Sequence, residues 1–235
     1  MYRNKKVIWN VPKDPYKCLW LTNSSGIVRE DWTNKCETPI VFLDIDGVMN
    51  NSDWAEALHR SRTEPESEDN PKYPIWYHEW CDVTSVDALK KFCDAFGFMI
   101  VITSSWRKSN IFDTLEQLSK VYGFRTLFPY IIGQTNRLNI KKTGGKSWIR
   151  GDEIKIWCDE FEPSWYGILD DDNDILPEQK NHFYQVDPEH GLHENELLAF
   201  KCKFNKIHKR AWKEKFDFSF GKKVLTYNYN TKSYE

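Results

Sequence analysis

A chain of 235 residues is long enough for one substantial α/β domain carrying insertions. With 40% hydrophobic residues, among them 14 Phe, 11 Trp and 11 Tyr, its composition is that of a globular protein and excludes a disordered one. The net charge of −2 gives no electrostatic pointer to nucleic acid or membrane for the molecule as a whole.

Residues 1–38 read as an N-terminal extension with short β-structure, broken by turn formers at Asn23-Ser24-Ser25-Gly26. Nothing near the start is apolar for long enough to be a signal peptide or a membrane span. Pro39 to Ile45 is a compact apolar run ending in acids, as expected of a buried parallel strand. Residues 51–80 combine a polar stretch, Glu64 to Pro71, with the aromatics Tyr73, Trp76, Tyr77 and Trp80. They read as a small cap insertion over one end of the sheet, whose aromatics pack as core or lid or stack a base.

From Thr84 the pattern turns helical. Thr84 with Asp87 resembles a capping box, Val86, Leu89, Cys93 and Phe96 form one stripe, and Gly97 ends it. Phe98 to Ile102 is a second buried strand, Asn110 to Tyr122 a helix, and Thr126 to Ile132 a strand or extended segment. Ile154, Trp157, Cys158 and Phe161 take helical spacing; Gly167 to Leu169 and Phe183 to Val186 complete the strands. Strands alternating with helices predict a Rossmann-like parallel sheet with helices on both faces, spanning 39–200. The remainder, 201–235, holds ten Lys/Arg against three acids between Lys201 and Glu235 and reads as a basic C-terminal extension. Such an extension either tracks a polyanion or is a solvated surface. The six cysteines (Cys18, Cys36, Cys81, Cys93, Cys158, Cys202) form no Cys-x-x-Cys pair and no zinc spacing, so a soluble protein of a reducing compartment is expected.

Ligands of such sheets sit beyond the carboxyl ends of the strands, and there this chain is polar without a packing reason. One strand ends in Asp44-Ile45-Asp46-Gly47, the next in Thr103-Ser104-Ser105-Trp106-Arg107, a later one in Asp170-Asp171-Asp172-Asn173-Asp174. If these ends are neighbours, several carboxylates converge, and two charges ~4 Å apart repel by about 4 kcal/mol at an effective dielectric near 20. A cation is then required. Oxygen donors without His or Cys select magnesium over zinc.

Other readings carry less. The 170–174 run lacks the Gly and closing Glu of an EF-hand loop. Gly144-Gly145-Lys146-Ser147 is not a P-loop, because Ile140 stands where the first Gly is needed. Ser104 and Ser105 are candidates either to cap a helix or to hold a phosphate, and Arg107 either to touch substrate or to form a structural salt bridge. The histidines, His190 and His193 among them, show no metal spacing.

Asp44-Ile45-Asp46-Gly47-Val48 resembles the first motif of the haloacid dehalogenase-like phosphatases. Ser104 resembles the second motif, Arg150 (in its place, Lys146) the third-motif cation, and Asp170 with Asp174 the fourth. More narrowly, Ser104 to Arg107, Ile131 to Thr135, Arg150 to Ile154, Ile168 to Asp172, and Val186-Asp187 followed by Gly191-Leu192 stand in one order. That series resembles the branch of the superfamily found in Swiss Army knife RNA-repair proteins, over roughly residues 39–200. The resemblance implies a magnesium-dependent phosphomonoesterase. Asp44 would be the nucleophile, forming an aspartyl-phosphate. Asp46 would be the general acid and base, with its backbone carbonyl reaching the metal. Ser104 and Arg150 would stabilise the phosphoryl group. Mg2+ would lie on Asp44, Asp46 and Asp170, aided by Asp171 or Asp174. Gly47, Ser105, Arg107 and Lys146 would be substrate contacts. Asp rather than Thr at position 46 favours hydrolysis over a long-lived phosphoenzyme.

The implied substrate is a nucleotide or a nucleic-acid phosphate end, such as a 3′-phosphate, with a small free metabolite or mononucleotide as the alternative. A non-catalytic phosphate- or partner-binding protein is a third reading, opposed by the intact motif set. No membrane partner is implied, and the setting would be the cytoplasm of a bacterium or of a virus-infected host cell.

Overall fold

The computed structural model describes residues 20–23, 26–29, 39–67, 81–138, 149–163, 165–207, 227–228 and 233–234. The aromatics Tyr73, Trp76, Tyr77 and Trp80, Lys146, Cys18, Cys36 and most of the basic extension lie outside these residues.

Five strands form one parallel sheet: β3 (Ile40–Leu43), β4 (Met99–Ile102), β5 (Ile131–Gln134), β6 (Tyr166–Asp170) and β7 (Phe183–Gln185). Two short antiparallel pairs are separate from it, β1 (Trp20–Asn23) with β2 (Gly26–Arg29) and β8 (Tyr227–Asn228) with β9 (Ser233–Tyr234). The sheet order is β5-β4-β3-β6-β7. The chain therefore winds outward from β3 to β5, returns, and winds outward again on the other side through β6. The order reverses between β3 and β6, and a crevice opens at the carboxyl ends of strands at such a point.

The strands are buried on both faces, so their sequences are continuous apolar runs instead of alternating ones. Side chains still alternate between faces. Ile40, Phe42, Met99, Val101, Ile132 and Ile168 pack with Ile154, Trp157 and Phe161 of α4 (Arg150–Phe161). Phe42 is the centre of that layer, with its ring edge-on to Trp157 at 5.3 Å and to Tyr166 at 5.7 Å. Val41, Leu43, Ile100, Ile102 and Leu169 pack on the other face with α2 (Val83–Phe96), α3 (Ile111–Leu118) and α5 (Glu194–Ile207). An aromatic stack there joins Phe98 to Phe92 at 4.8 Å and to Phe204 at 4.9 Å.

Several expectations need correction. The stretch after the first motif begins with α1 (Ser52–Thr63), whose cap Asn51 accepts the Trp54 amide at 2.7 Å. The polar stretch begins only after this helix, at Glu64. Helix α2 is capped by Asp82, not Thr84: Asp82 Oδ1 accepts the Thr84 amide at 2.8 Å, two residues earlier than the sequence pattern suggested. Helix α3 stops at Leu118, short of Tyr122. Phe124–Tyr130 is a 3-10 helix, and the strand starts only at Ile131. Helix α5 runs through the expected boundary at residue 200, because Phe200 and Phe204 are both core residues. No described helix is long and apolar enough to cross a membrane.

Phe42→Ala should cost about 3–5 kcal/mol through the cavity left between β3 and α4, lowering Tm by roughly 10 °C in a thermal melt. Phe112→Ala, at an exposed position of α3, should shift it by less than about 2 °C.

Candidate active site

Asp44, Thr103 and Asp170 lie two residues beyond Phe42, Val101 and Ile168, so the two-residue period of a strand turns all three toward the α4 side. The backbone holds them in step: the Asp44 amide donates to Leu169 O at 3.0 Å and the Thr103 amide to Leu43 O at 2.9 Å. Carboxylate oxygens of Asp44, Asp170 and Asp171 lie within 4.8 Å of one another, with Asp44 and Asp170 buried.

Arg150, the first residue of α4, is the cation facing them. Its Nη1 stands 3.1 Å from Asp44 Oδ1 and 3.6 Å from Asp170 Oδ2, and it donates to the Thr103 carbonyl. Burial alone would lower the proton affinity of this guanidinium; Asp44, Asp170 and Asp174 outweigh it and hold Arg150 above its ordinary value. One guanidinium does not balance the acids. Burial, then the charge on Asp44, pushes the Asp170 carboxyl up to about 8 against the pull of Arg150. Asp171 and Asp174 are likewise raised, chiefly by burial.

The donor set fits a hard divalent cation. Asp170 Oδ2 and Asp174 Oδ1 are buried and accept no hydrogen bond from a described group, and Arg150 is the polar contact of Asp44 Oδ1. Such oxygens are costly without a partner, and oxygen ligands in this number suit magnesium or calcium. Asp171, Asp44 and Asp170 would hold the ion. Asp174 sits apart from that trio: its Oδ2 accepts the Arg150 amide at 3.1 Å, fixing the start of α4 against the acidic loop. The same junction is closed by Gly151, where a Cβ would stand 2.4 Å from the Leu176 amide nitrogen. Gln179 Nε2 completes it by donating to Gly151 O at 2.9 Å.

The carboxylate of Asp46 is separate from the trio. It is exposed and is held by Asn50, Ser105 and Trp106. Gly47 follows with φ +70, and a Cβ there would lie 2.3 Å from the carboxyl carbon of Asp171, so glycine lets this acid lie across the turn. Ser104 is buried, and its Oγ accepts the Trp106 amide at 3.3 Å; Ser105 is exposed. Thr103 is also buried, and its Oγ1 makes no hydrogen bond with described residues.

Arg107 is 3% exposed and turned inward. Its Nε donates to Ser104 O at 2.6 Å, its Nη1 to Thr135 O at 2.9 Å and its Nη2 to Glu153 Oε2 at 2.7 Å. These are structural contacts, tying the ends of β4 and β5 to α4. Thr103, Trp106, Asn50 and Glu153 are the parts that sequence reasoning missed. Glu153 had one available signal, its place one helical turn after Arg150.

In Gly47→Ala, the Asp171 side chain is free to yield to the new methyl, so the fold should survive while divalent-metal affinity drops about 10- to 100-fold. A Mg2+ titration of Tm checks this. Asp170 supplies a pH test. Its carboxyl lies above the unfolded value of about 3.9, so in metal-free protein its contribution to stability is full below that pH and lost as pH rises through about 8. Asp170→Asn should therefore gain Tm over the metal-free wild type, by on the order of 5 °C at pH 8 and far less at pH 5. Parallel melting curves of the two proteins across that range would refute it.

No curated protein and no solved structure matches this chain. Residues 40–197 match the family described as the HAD domain in Swiss Army Knife RNA repair proteins, a span holding all five strands of the sheet and every described residue of the site, and the chain belongs to that family.

Proposed function

We propose that the protein is a magnesium-dependent phosphomonoesterase that works through an aspartyl-phosphate on Asp44 and removes a phosphate from a nucleotide or nucleic-acid end, the 3′-phosphate first among these. The observation that carries the chemistry is the cluster of buried Asp44 and Asp170 with half-buried Asp171 beside Arg150. A carboxylate held in place among ligands for a cation is placed to attack an anionic phosphoryl group only when that charge is offset.

Each residue then has a task. Asp44 Oδ attacks phosphorus and the bond to the leaving oxygen breaks; Asp46 supplies the proton that oxygen needs. Asp46 next takes a proton from water as water attacks phosphorus and the Asp44–phosphorus bond breaks. Arg150 lies close enough to Asp44 to offset charge on the transferring group. Thr103, whose hydroxyl bonds to no described residue, and Ser104 with the backbone amide of Ser105 in the following turn are the donors for phosphoryl oxygens. Magnesium, held by Asp44, Asp170 and Asp171, would supply Lewis-acid stabilisation of phosphoryl charge. Arg107 acts by bracing this turn. The RNA-repair proteins named in the family description support a nucleic-acid end as substrate.

A released-phosphate assay with Mg2+ tests the reading on 3′- and 5′-phosphorylated oligonucleotides, mononucleotides and sugar phosphates. Turnover should be highest on the 3′-phosphorylated oligonucleotide, with a KM that rises steeply with salt. Asp44→Asn should lose activity by about a thousandfold or more. Survival of turnover in that variant removes Asp44 as nucleophile. Faster turnover of mononucleotides or sugar phosphates, with KM insensitive to salt, moves the substrate to small metabolites.

A further inference from the structure

We infer that Trp106, Asn50 and Ser105 form a three-donor cradle that positions Asp46 and leaves its Oδ2 as the oxygen that carries the transferable proton. This rests on the phosphatase reading for its chemistry, and on geometry for the cradle itself.

Asp46 stands on the turn after β3, outside the ladder of the five-stranded sheet and bridged only locally to Asn50. The carboxylate of an exposed aspartate on a turn ordinarily samples several rotamers. Here three groups from two loops converge on it. Asn50 Nδ2 donates to Oδ1 at 2.9 Å and the Trp106 indole Nε1 donates to the same Oδ1 at 2.9 Å. Ser105 Oγ donates to Oδ2 at 3.0 Å. Asn50 is itself pinned, since its Oδ1 accepts the Gly47 amide at 2.8 Å and closes the turn. Trp106 and Ser105 belong to the turn after β4, which Arg107 ties to β5 and α4. The acid on one loop is thus referenced to the sheet through a second loop.

The donor count distinguishes the two oxygens. A carboxylate oxygen has two lone pairs in the carboxyl plane. Both are occupied on Oδ1, by N–H groups that donate only. On Oδ2 one is occupied by a hydroxyl, and among the described residues nothing donates to the other. A proton added to Asp46 therefore goes to Oδ2. When the first step occurs, the O–H bond at Oδ2 breaks and its proton passes to the leaving oxygen as the Asp44–phosphorus bond forms and the bond from phosphorus to the leaving oxygen breaks. In the second step Oδ2 receives a proton from the attacking water, restoring the start. Trp106 and Asn50 touch neither substrate nor phosphorus in this scheme. They are positioning residues, and their effect must appear where proton delivery matters.

Leaving groups of different basicity provide the readout. A nitrophenolate leaves without needing a proton, whereas an alkoxide does not. With Mg2+ present, kcat/KM is measured on 4-nitrophenyl phosphate, phenyl phosphate and benzyl phosphate for wild type, Trp106→Phe, Asn50→Ala and Ser105→Ala. It covers steps only through formation of the phosphoenzyme, so the later hydrolysis does not enter. Trp106→Phe keeps the ring and loses the N–H. Its kcat/KM should fall at least about tenfold more on benzyl phosphate than on 4-nitrophenyl phosphate, with Asn50→Ala in the same direction. Equal losses across the series, or none, would overturn the positioning role. Ser105→Ala, at an exposed position, repeats the comparison should Trp106→Phe fold poorly. The cradle is also read without turnover, from the Trp106 indole N–H resonance in a 15N-correlated NMR spectrum, identified by its loss in Trp106→Phe. It should move upfield in Asp46→Ala; an unmoved resonance refutes the contact. If wild type hydrolyses none of the phosphates, the phosphatase reading fails, and the indole resonance still decides the cradle.

Discussion

The structure turns on the repulsion between Asp44 and Asp170, two buried carboxylates on neighbouring strands with a single guanidinium between them. Parallel pairing of β3 with β6 forces them together, since Leu43 is opposite Leu169 and Asp44 and Asp170 are the residues that follow. The apolar layers beneath supply the free energy to hold that arrangement: a buried Leu, Ile or Phe side chain contributes about 1.5–3 kcal/mol, and both faces of these strands are lined with them. A cold arithmetic of charge then specifies the ligand. An excess of carboxylates in a dry pocket either binds protons or binds a cation, and the upward displacement of Asp170 is the protonic form of that demand.

Around this centre the structure is braced in two places. Arg107 and Glu153 form a buried ion pair joining the turn after β4 to α4. Removing one member of such a pair strands the other charge, which costs far more than the pair contributes. Asp174, Gly151 and Gln179 join α4 to the acidic loop at the opposite side of Arg150. Arg150, at the head of α4, is consequently located from both sides while it offsets charge on Asp44, Asp170 and Asp174.

Much of this was legible in the sequence. Continuous apolar runs followed by Asp44, Thr103-Ser104 and Asp170 announced buried parallel strands with polar ends, and three such ends in one chain pointed to a shared site. Helix α4 was legible from Ile154, Trp157 and Phe161. Helix α5 was not: Leu197, Phe200 and Phe204 take core spacing, but Lys201 and Lys203 between them and Lys206 after them made the segment look like a solvated tail. The 3-10 helix at Phe124–Tyr130 passed for a strand because Leu127 and Phe128 are apolar, although Pro129 lacks the N–H a central strand needs. Asp82 and Thr84 are both good caps two residues apart, and only the hydrogen bond decides between them. Trp106 could not have been assigned at all, since its contact with Asp46 spans 60 positions and depends on two loops meeting.

The pairing of Asp44 and Thr103 into the sheet ladder has a consequence for how the molecule loses its competence. The Asp44 amide is bonded to β6 and the Thr103 amide to β3, so these backbone positions open only when the central strands separate. Central strands are among the last parts of a domain to open. Thermal loss of the Asp44 setting therefore coincides with global unfolding, while Asp46, on a turn outside the ladder, belongs to a part that loosens earlier. The site thus carries its own order of failure, with the contacts around Asp46 lost before the Asp44–Asp170 cluster.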